Sequence, residues 1–453
     1  MRRGLALAVT VGAIFAAVAS RFPVNDTDLY WHLASGKWMV EHGAILATDQ
    51  FSATIRGAAV PVHQWLGQLV LWLAFSFGSW WGVLAVRVIA VFVLVTVVSW
   101  TAIARATRPA IGPLAAFPAL ALSRFVWGDR PELLGLVLFA IFLPLALAAR
   151  RGDRPAQVAL VPLMALWANL HGGFVVGVVL LVVLGFEAAL FGRLERRPFL
   201  GFAALAILAT FLNPLGAGAY ASPEWHFTNP PRFIQEWGLP DVTTFPGLLF
   251  AVTLLGALSL AALAPSGRTS DVAILAPLAF LSLSALRQMP LFALASAPFL
   301  ADRVSALLPR LAPRVPVREP WRLALPLAGL LLVASLATAP REPDQSGFPV
   351  GALLALHAHN GALFNDYDWG GFLIWNAPEH PVFIDGRLVP YIGTVLDDYR
   401  EAIAAHPGWR EVLDRWRIDL VLVRPTSALA VRLANAGWSV AYRDDDTVLF
   451  SRP

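Results

Sequence analysis

The sequence predicts a polytopic α-helical membrane protein of about eleven transmembrane helices, followed by a small α/β domain on the outer face. Three observations carry this. Of 453 residues 57% are hydrophobic and only 14% charged, with 17 Trp and a mean hydropathy of +0.64, a balance that excludes a soluble globular chain. The arginines fall in short clusters between apolar runs, the pattern of cytoplasmic loops, so the net charge of +4 and pI near 9.8 do not indicate nucleic acid. The last 113 positions hold 15 of the 30 acidic residues, and there the apolar runs shorten to strand length. The absence of cysteine removes disulfides, thiolate catalysis and Cys-type zinc sites.

The first 20 residues, MRRGLALAVTVGAIFAAVAS, have the basic start and small residues of a secretory signal. The many apolar runs that follow favour an uncleaved first span. A hydrocarbon core about 30 Å thick needs roughly 20 apolar residues per helix, fewer inside a bundle. Candidate spans are 4 to 21, 82 to 104, 110 to 124, 133 to 149, 156 to 169, 172 to 192, 199 to 213, 244 to 264, 271 to 286, 288 to 303 and 321 to 339. The stretch HQWLGQLVLWLAFSFGSWW, 63 to 81, is apolar but short. The clusters MRR, RATR at 105, RRGDR at 150, RLERR at 193, SGR at 266 and the 302 to 320 stretch all face the cytoplasm only if 63 to 81 does not cross. It therefore reads as an interfacial or half-inserted helix closing a long first outer loop, 22 to 81, within a transmembrane domain of residues 1–340.

With the N-terminus inside, residues 341–453 lie outside. GALFND, PVFIDG, DLVLVR, WSVAYR and TVLFSR read as strands, and SALAVRLANAG as a helix closed by Gly437.

This topology collects the unusual polar residues on the outer side. They are Asp26, Asp28, His32, His63 and Gln64 in the first loop, and Arg124, Asp129, Arg130 and Glu132 in the next. Asn169 and His171 in WANLHGGF, Glu236 in FIQEWGLPD and Arg287 in the tight hairpin ALRQMPL complete the set. Ionisable groups at a membrane boundary mark functional sites, because exposing them to lipid costs several kcal/mol. Asp28 and His32, four apart, share a face of an amphipathic helix, and Asp28 also fits the N-cap of that helix. Asp129 and Glu132 supply a second acidic patch, although Glu132 also suits the first turn of the helix opened by Pro131. Paired carboxylates such as Asp28 and Asp129 hold a divalent cation, Mg or Mn, or supply a general base. Arg87 and Arg287 suit the phosphate of a lipid carrier, with snorkelling to headgroups as the alternative. His32, His63 and His171 match no zinc spacing and read as hydrogen-bonded structural histidines. Glu187 reads as a paired or snorkelling residue.

Several of these stretches resemble the GT-C superfamily of membrane glycosyltransferases, specifically oligosaccharyltransferases and protein mannosyltransferases. NDTDLYWHLASGKW is similar to their acidic first-loop motif, HQWLGQLVLWLAFSFGSWWGVLAVR to the interfacial helix leading into the second span, and FVWGDRPELLGLV stands in the place of the second acidic motif. YDWGGFLIWNAPEHPVFIDGR resembles the region around the WWDYG motif, with Asp368, Trp369 and Gly370 matching its Asp, aromatic and Gly, and Asp366 and Tyr367 in place of its first Trp pair. The resemblance implies a GT-C fold and transfer of a sugar from a polyprenyl-phosphate-linked donor to an extracytoplasmic glycolipid, polysaccharide or protein at the plasma (inner) membrane. It implies Asp28, beside Asp26, as the catalytic or metal-linked carboxylate and Asp129 as its partner. Two other functions fit the composition. A flippase for lipid-linked saccharide predicts mid-span charges and internal repeats, which are scarce here. A non-catalytic envelope-assembly protein of the same fold predicts binding without turnover.

Overall fold

The protein is described by a computed structural model covering residues 2–60, 63–191, 197–221, 223, 235–264, 268–308 and 321–453. The inner loops expected around 193 and 266, and most of 302 to 320, lie outside the described residues. The chain divides into two compact units, Met1–Phe22 with Trp81–Arg341 and Pro23–Trp80 with Glu342–Pro453. The first long loop and the tail are thus parts of one unit.

All eleven apolar segments are helical. They begin with α1 (Arg2–Ala19), then come, after α2 (Leu29–His42), α3 (Trp65–Arg105), α4 (Ile111–Ser123), α5 (Pro131–Arg150), α6 (Arg154–Leu170), α7 (Phe174–Phe191) and α8 (Arg197–Ala209). Helices Phe245–Leu263, Thr269–Ser284, Met289–Leu307 and Trp321–Ala337 complete the series. Among the described residues four helices, α3, α5, α7 and Phe245–Leu263, are long and apolar enough to cross a membrane by length and composition, and further apolar helices are shorter. Large apolar side chains such as Phe186, Leu190, Leu255 and Phe280 point outward, as lipid-facing positions do, while Phe139, Phe142, Trp167 and Phe292 are fully buried. In the first unit α4 packs on Met289–Leu307, α1 on Trp321–Ala337, and α6 against both α5 and α8.

Helix α3 is 41 residues long and is interrupted at Ser79, whose φ of 52° and ψ of −146° are not helical. Only glycine adopts that backbone region cheaply. The interruption falls where the chain passes from one compact unit to the other, at Trp80 and Trp81. The segment expected as a separate interfacial helix is therefore the first part of α3.

In the second unit four strands form one sheet in the order β1-β2-β4-β3, with β1 (Ala362–Asn365), β2 (Ile418–Val423), β3 (Ser439–Arg443) and β4 (Val448–Ser451). β1 and β2 are parallel, and the other pairs antiparallel. Ser427 caps the helix Ala428–Asn435 by accepting from Ala430 N, and Gly437 leaves that helix with a φ of 84° that an L side chain would strain. PVFIDG was the exception among the expected strands. It makes only an isolated parallel bridge, Ser52 to Val382, with Val382 N donating to Phe51 O and Ala53 N to Val382 O. Its alternation suits a strand, but beyond that bridge its backbone bonds side chains, Phe383 N and Ile384 O going to Asn365 and Phe383 O to Thr54. Tyr30 and Ala34 of α2 share a core with Leu363, Trp369, Phe372, Val382, Leu420 and Leu449. Rings of Phe348 and Phe372 stack edge-on to Tyr30 at 5.1 and 5.3 Å.

Candidate active site

In the second unit, Asp28 stands at the head of α2 but does not cap it, because its side chain accepts no hydrogen bond from a backbone N–H of the first turn. His32 N instead bonds the Asp28 backbone oxygen at 3.2 Å. The carboxylate is turned to the Trp31 indole, whose Nε1 donates to Oδ1 at 3.1 Å. Asp26 Oδ1 accepts from Asp28 N at 2.9 Å, so the first aspartate fixes the backbone of the second. On another side lies Gly386, where any Cβ would collide with Asp28 Oδ1. Gly371 likewise admits the Thr27 carbonyl to within 2.6 Å of where a Cβ would be. The YDWGG and FIDGR stretches of the tail thus meet the acidic loop through glycines, which permit backbone to approach so closely.

Tyr367 lies in the same field. Burial, then the charges of Asp28, Asp385 and Asp368, push its phenol up, so it stays protonated. Its backbone N–H donates to Tyr399 Oη at 3.0 Å. Asp385 anchors the loop that carries Gly386. Arg387 Nε donates to Asp385 Oδ1 at 2.7 Å, Arg387 Nη2 contacts Asp385 Oδ2, and Tyr391 Oη donates to the same Oδ2 at 2.6 Å. Arg387 Nη1 reaches Asp49 Oδ2 of the first loop at 2.5 Å. Burial pushes the Asp385 carboxyl up, but Arg387 and Tyr391 outweigh it and hold the group below the usual carboxylate range. These four residues, with Trp31, Tyr367 and Gly386, were not expected as site residues from the sequence. Asp385 and Arg387 two apart are an ordinary turn pattern, and Asp49 carries no local signal.

The remaining expected residues of this unit have structural partners. His32 is buried, lies 3.4 Å from Gln68 Nε2, and packs on Trp31 with ring centroids 3.6 Å apart. His63 Nε2 is 3.1 Å from Gln64 Nε2. Trp369 is buried and donates to Gly347 O at 2.9 Å, and exposed Asp368 pairs with Arg424 Nη2 at 3.3 Å. Burial raises the Asp366 carboxyl against the opposing pull of Arg424.

In the first unit, four residues distant in sequence come together. Arg287 Nη2 pairs with Glu132 Oε1 at 2.9 Å and Nη1 with Glu236 Oε1 at 3.0 Å, while the guanidinium lies 4.6 Å from the Trp237 ring. Glu132 thus reaches across to Arg287 from the first turn of α5. His171, in the turn between α6 and α7, is in the field of Glu132 and Arg287, and its Nδ1 accepts from Gly173 N at 3.0 Å. Burial pushes its imidazole down to about 4, with Glu132 opposing, so it is neutral at pH 7. Arg87 and Asp129 form a buried pair at 3.1 Å, and Arg87 Nη2 also donates to Phe22 O. Asp28 and Asp129, expected as partners, belong to different units. Among the described residues no group of three His, Asp or Glu side chains could hold a metal ion, and the charge of Asp129 is matched by Arg87.

No family model matches the chain, and neither does any curated protein. Solved structures do. The Archaeoglobus fulgidus oligosaccharyltransferase tethered to an acceptor peptide superposes with a TM-score of 0.57 at 12% identity, over 99% of this chain and 74% of its own. ArnT from Cupriavidus metallidurans, bound to undecaprenyl phosphate, gives 0.57 at 15% over 99% and 97%. The arabinofuranosyltransferase AftD from Mycobacteria gives 0.58 at 18% over 100% and 41%. The chain has the fold of GT-C membrane glycosyltransferases.

Proposed function

We propose that this protein is a membrane glycosyltransferase that moves a sugar from a polyprenyl-phosphate-linked donor to an extracytoplasmic acceptor, with Asp28 as the base. The observation that carries the reading is the orientation of Asp28. A carboxylate at a helix start ordinarily caps it. This one is turned away, held by the Trp31 indole and set against the glycine backbone of the tail. Support comes from the fold shared with ArnT, which binds undecaprenyl phosphate.

In the proposed reaction Asp28 takes the proton of the acceptor hydroxyl, whose oxygen attacks the anomeric carbon. The bond from that carbon to the carrier phosphate breaks, its electron pair stays on the phosphate, and the configuration inverts. Arg287 and Arg87 are the cations proposed to offset the charge that develops there. For Arg287 this requires the phosphate to displace Glu132 or Glu236, which occupy both terminal nitrogens. No step is assigned to a metal ion. Asp26 and Trp31 position Asp28, while His171, Glu132 and Glu236 shape the anion site. We place the N-terminus in the cytoplasm, eleven crossings in the plasma membrane, and the tail outside with the first loop, where the acceptor is met.

Glycolipids, glycoproteins and surface polysaccharides of a strain lacking the protein test this. One glycan class should be lost, and it should be restored by the wild type and not by Asp28→Asn. A glycan profile that does not change on deletion contradicts the proposal.

A further inference from the structure

The first unit contains a second cationic site, at the opposite end of its helices from the Arg287 cluster. Helix α5 begins beside Glu132 and ends at Arg150; its 20 residues span about 30 Å, the thickness of a bilayer core. The Arg150 end opens on a cavity of about 800 Å³. Among the described residues its charged lining comprises Arg105, Arg150, Arg151 and Arg268 with Glu187, Asp271 and Asp302. The rest is largely apolar, including Trp100, Leu143, Leu147, Phe191 and Phe299.

These charged groups have partners. Arg105 Nη1 bonds Asp271 Oδ1 at 2.8 Å, and Arg268 Nη1 bonds Asp302 Oδ2 at 3.0 Å. Arg150 Nε donates to Glu187 Oε2 at 2.6 Å, and Thr269 Oγ1 donates to the other Glu187 oxygen. Arg150 is 3% exposed, yet its Nη1 has no hydrogen-bond partner. A buried charged donor left unmet is costly, so native proteins rarely tolerate one without a ligand.

We infer that this cavity binds the phosphate of an anionic phospholipid, with Arg150 Nη1 and the exposed Arg151 on the phosphate oxygens and an acyl chain along the apolar wall. The apolar wall beside the buried guanidinium points to a lipid and not a free anion. The site is distinct from the proposed glycosyl-transfer residues and does not depend on that function.

The test uses the full chain in phosphatidylcholine nanodiscs doped with phosphatidylglycerol, with retained lipid counted by native mass spectrometry. One phosphatidylglycerol should be retained in preference to phosphatidylcholine. Arg151→Gln and Arg150→Lys should each weaken that preference roughly fivefold, the effect of about 1 kcal/mol per cation at a lipid surface. Arg150→Lys keeps a charge beside Glu187. Should it nevertheless fail to fold, Arg151→Gln together with Arg268→Gln on the exposed rim decides the matter. Equal retention of both lipids by the wild type, or an unchanged preference in the folded variants, overturns the proposal. So does displacement of the lipid by millimolar inorganic phosphate, which would identify a free anion as the ligand.

Discussion

Replacing Gly386 by alanine moves Asp28 without removing it. The glycine has an ordinary negative φ, so alanine adds no backbone strain. Its Cβ, however, would overlap Asp28 Oδ1, the same oxygen that accepts from Trp31 Nε1. Relief requires the carboxylate to shift by about 1 Å, and a misplacement of that size costs on the order of 100-fold in rate when the group takes part in the reaction. It also strains or breaks a charge-assisted hydrogen bond worth about 1.5–3 kcal/mol. The assay is sugar transfer in membranes from cells lacking the native protein, compared with the thermal midpoint of the purified variant. Gly386→Ala should lose most of its turnover and keep its fold. Undiminished turnover at wild-type stability would refute the claim that Asp28 acts from this position.

Three other outcomes follow from the geometry. Arg387→Gln removes the cation shared by Asp385 and Asp49, and should destabilise the second unit by about 3–5 kcal/mol, the usual cost of breaking a buried pair, read as a lower thermal midpoint and faster proteolysis of the tail. Asp129→Asn leaves Arg87 unbalanced and should lower stability. The double variant Arg87→Gln/Asp129→Asn should recover stability but not transfer, because the cation proposed for the phosphate is gone; recovery of transfer as well would contradict that role of Arg87. His171 titrates at about 4 in the folded protein against 6.5 for the free side chain. The unfolded chain therefore binds a proton first, and the stability that His171 supplies is full above 6.5 and lost as the pH falls toward 4. His171→Gln should flatten that loss in a pH series of melting curves.

The apolar helices were legible because their runs are long and their ends are marked by arginines, prolines and loop polarity. The interruption of α3 was foreshadowed by the charge balance, which required 63 to 81 not to cross, but only the backbone locates it at Ser79. Asp28 was legible as a candidate residue by its place after α1. Its local pattern suggested a cap, and what overrides the cap is the Trp31 indole one helical turn on, together with a glycine 358 positions away in sequence. The convergence of Glu132, Glu236 and Arg287 followed from topology, since all three were assigned to the same side. What stayed hidden is long-range. The first loop is joined to the tail through Asp49, Ser52 and Thr54, whose partners are Arg387, Val382 and the Phe383 carbonyl, and periodicity carries no information about such pairings.

The most direct measurement is transfer of labelled sugar from a polyprenyl-phosphate-linked donor pool, in membranes carrying either the wild type or Asp28→Asn. The variant keeps the size of the side chain and loses the proton-accepting charge. Transfer should be present with the wild type and fall by at least about 100-fold with Asp28→Asn, the contribution of a general base, while protein level and melting temperature are unchanged. Equal transfer by both proteins would contradict the assignment of Asp28 as the base.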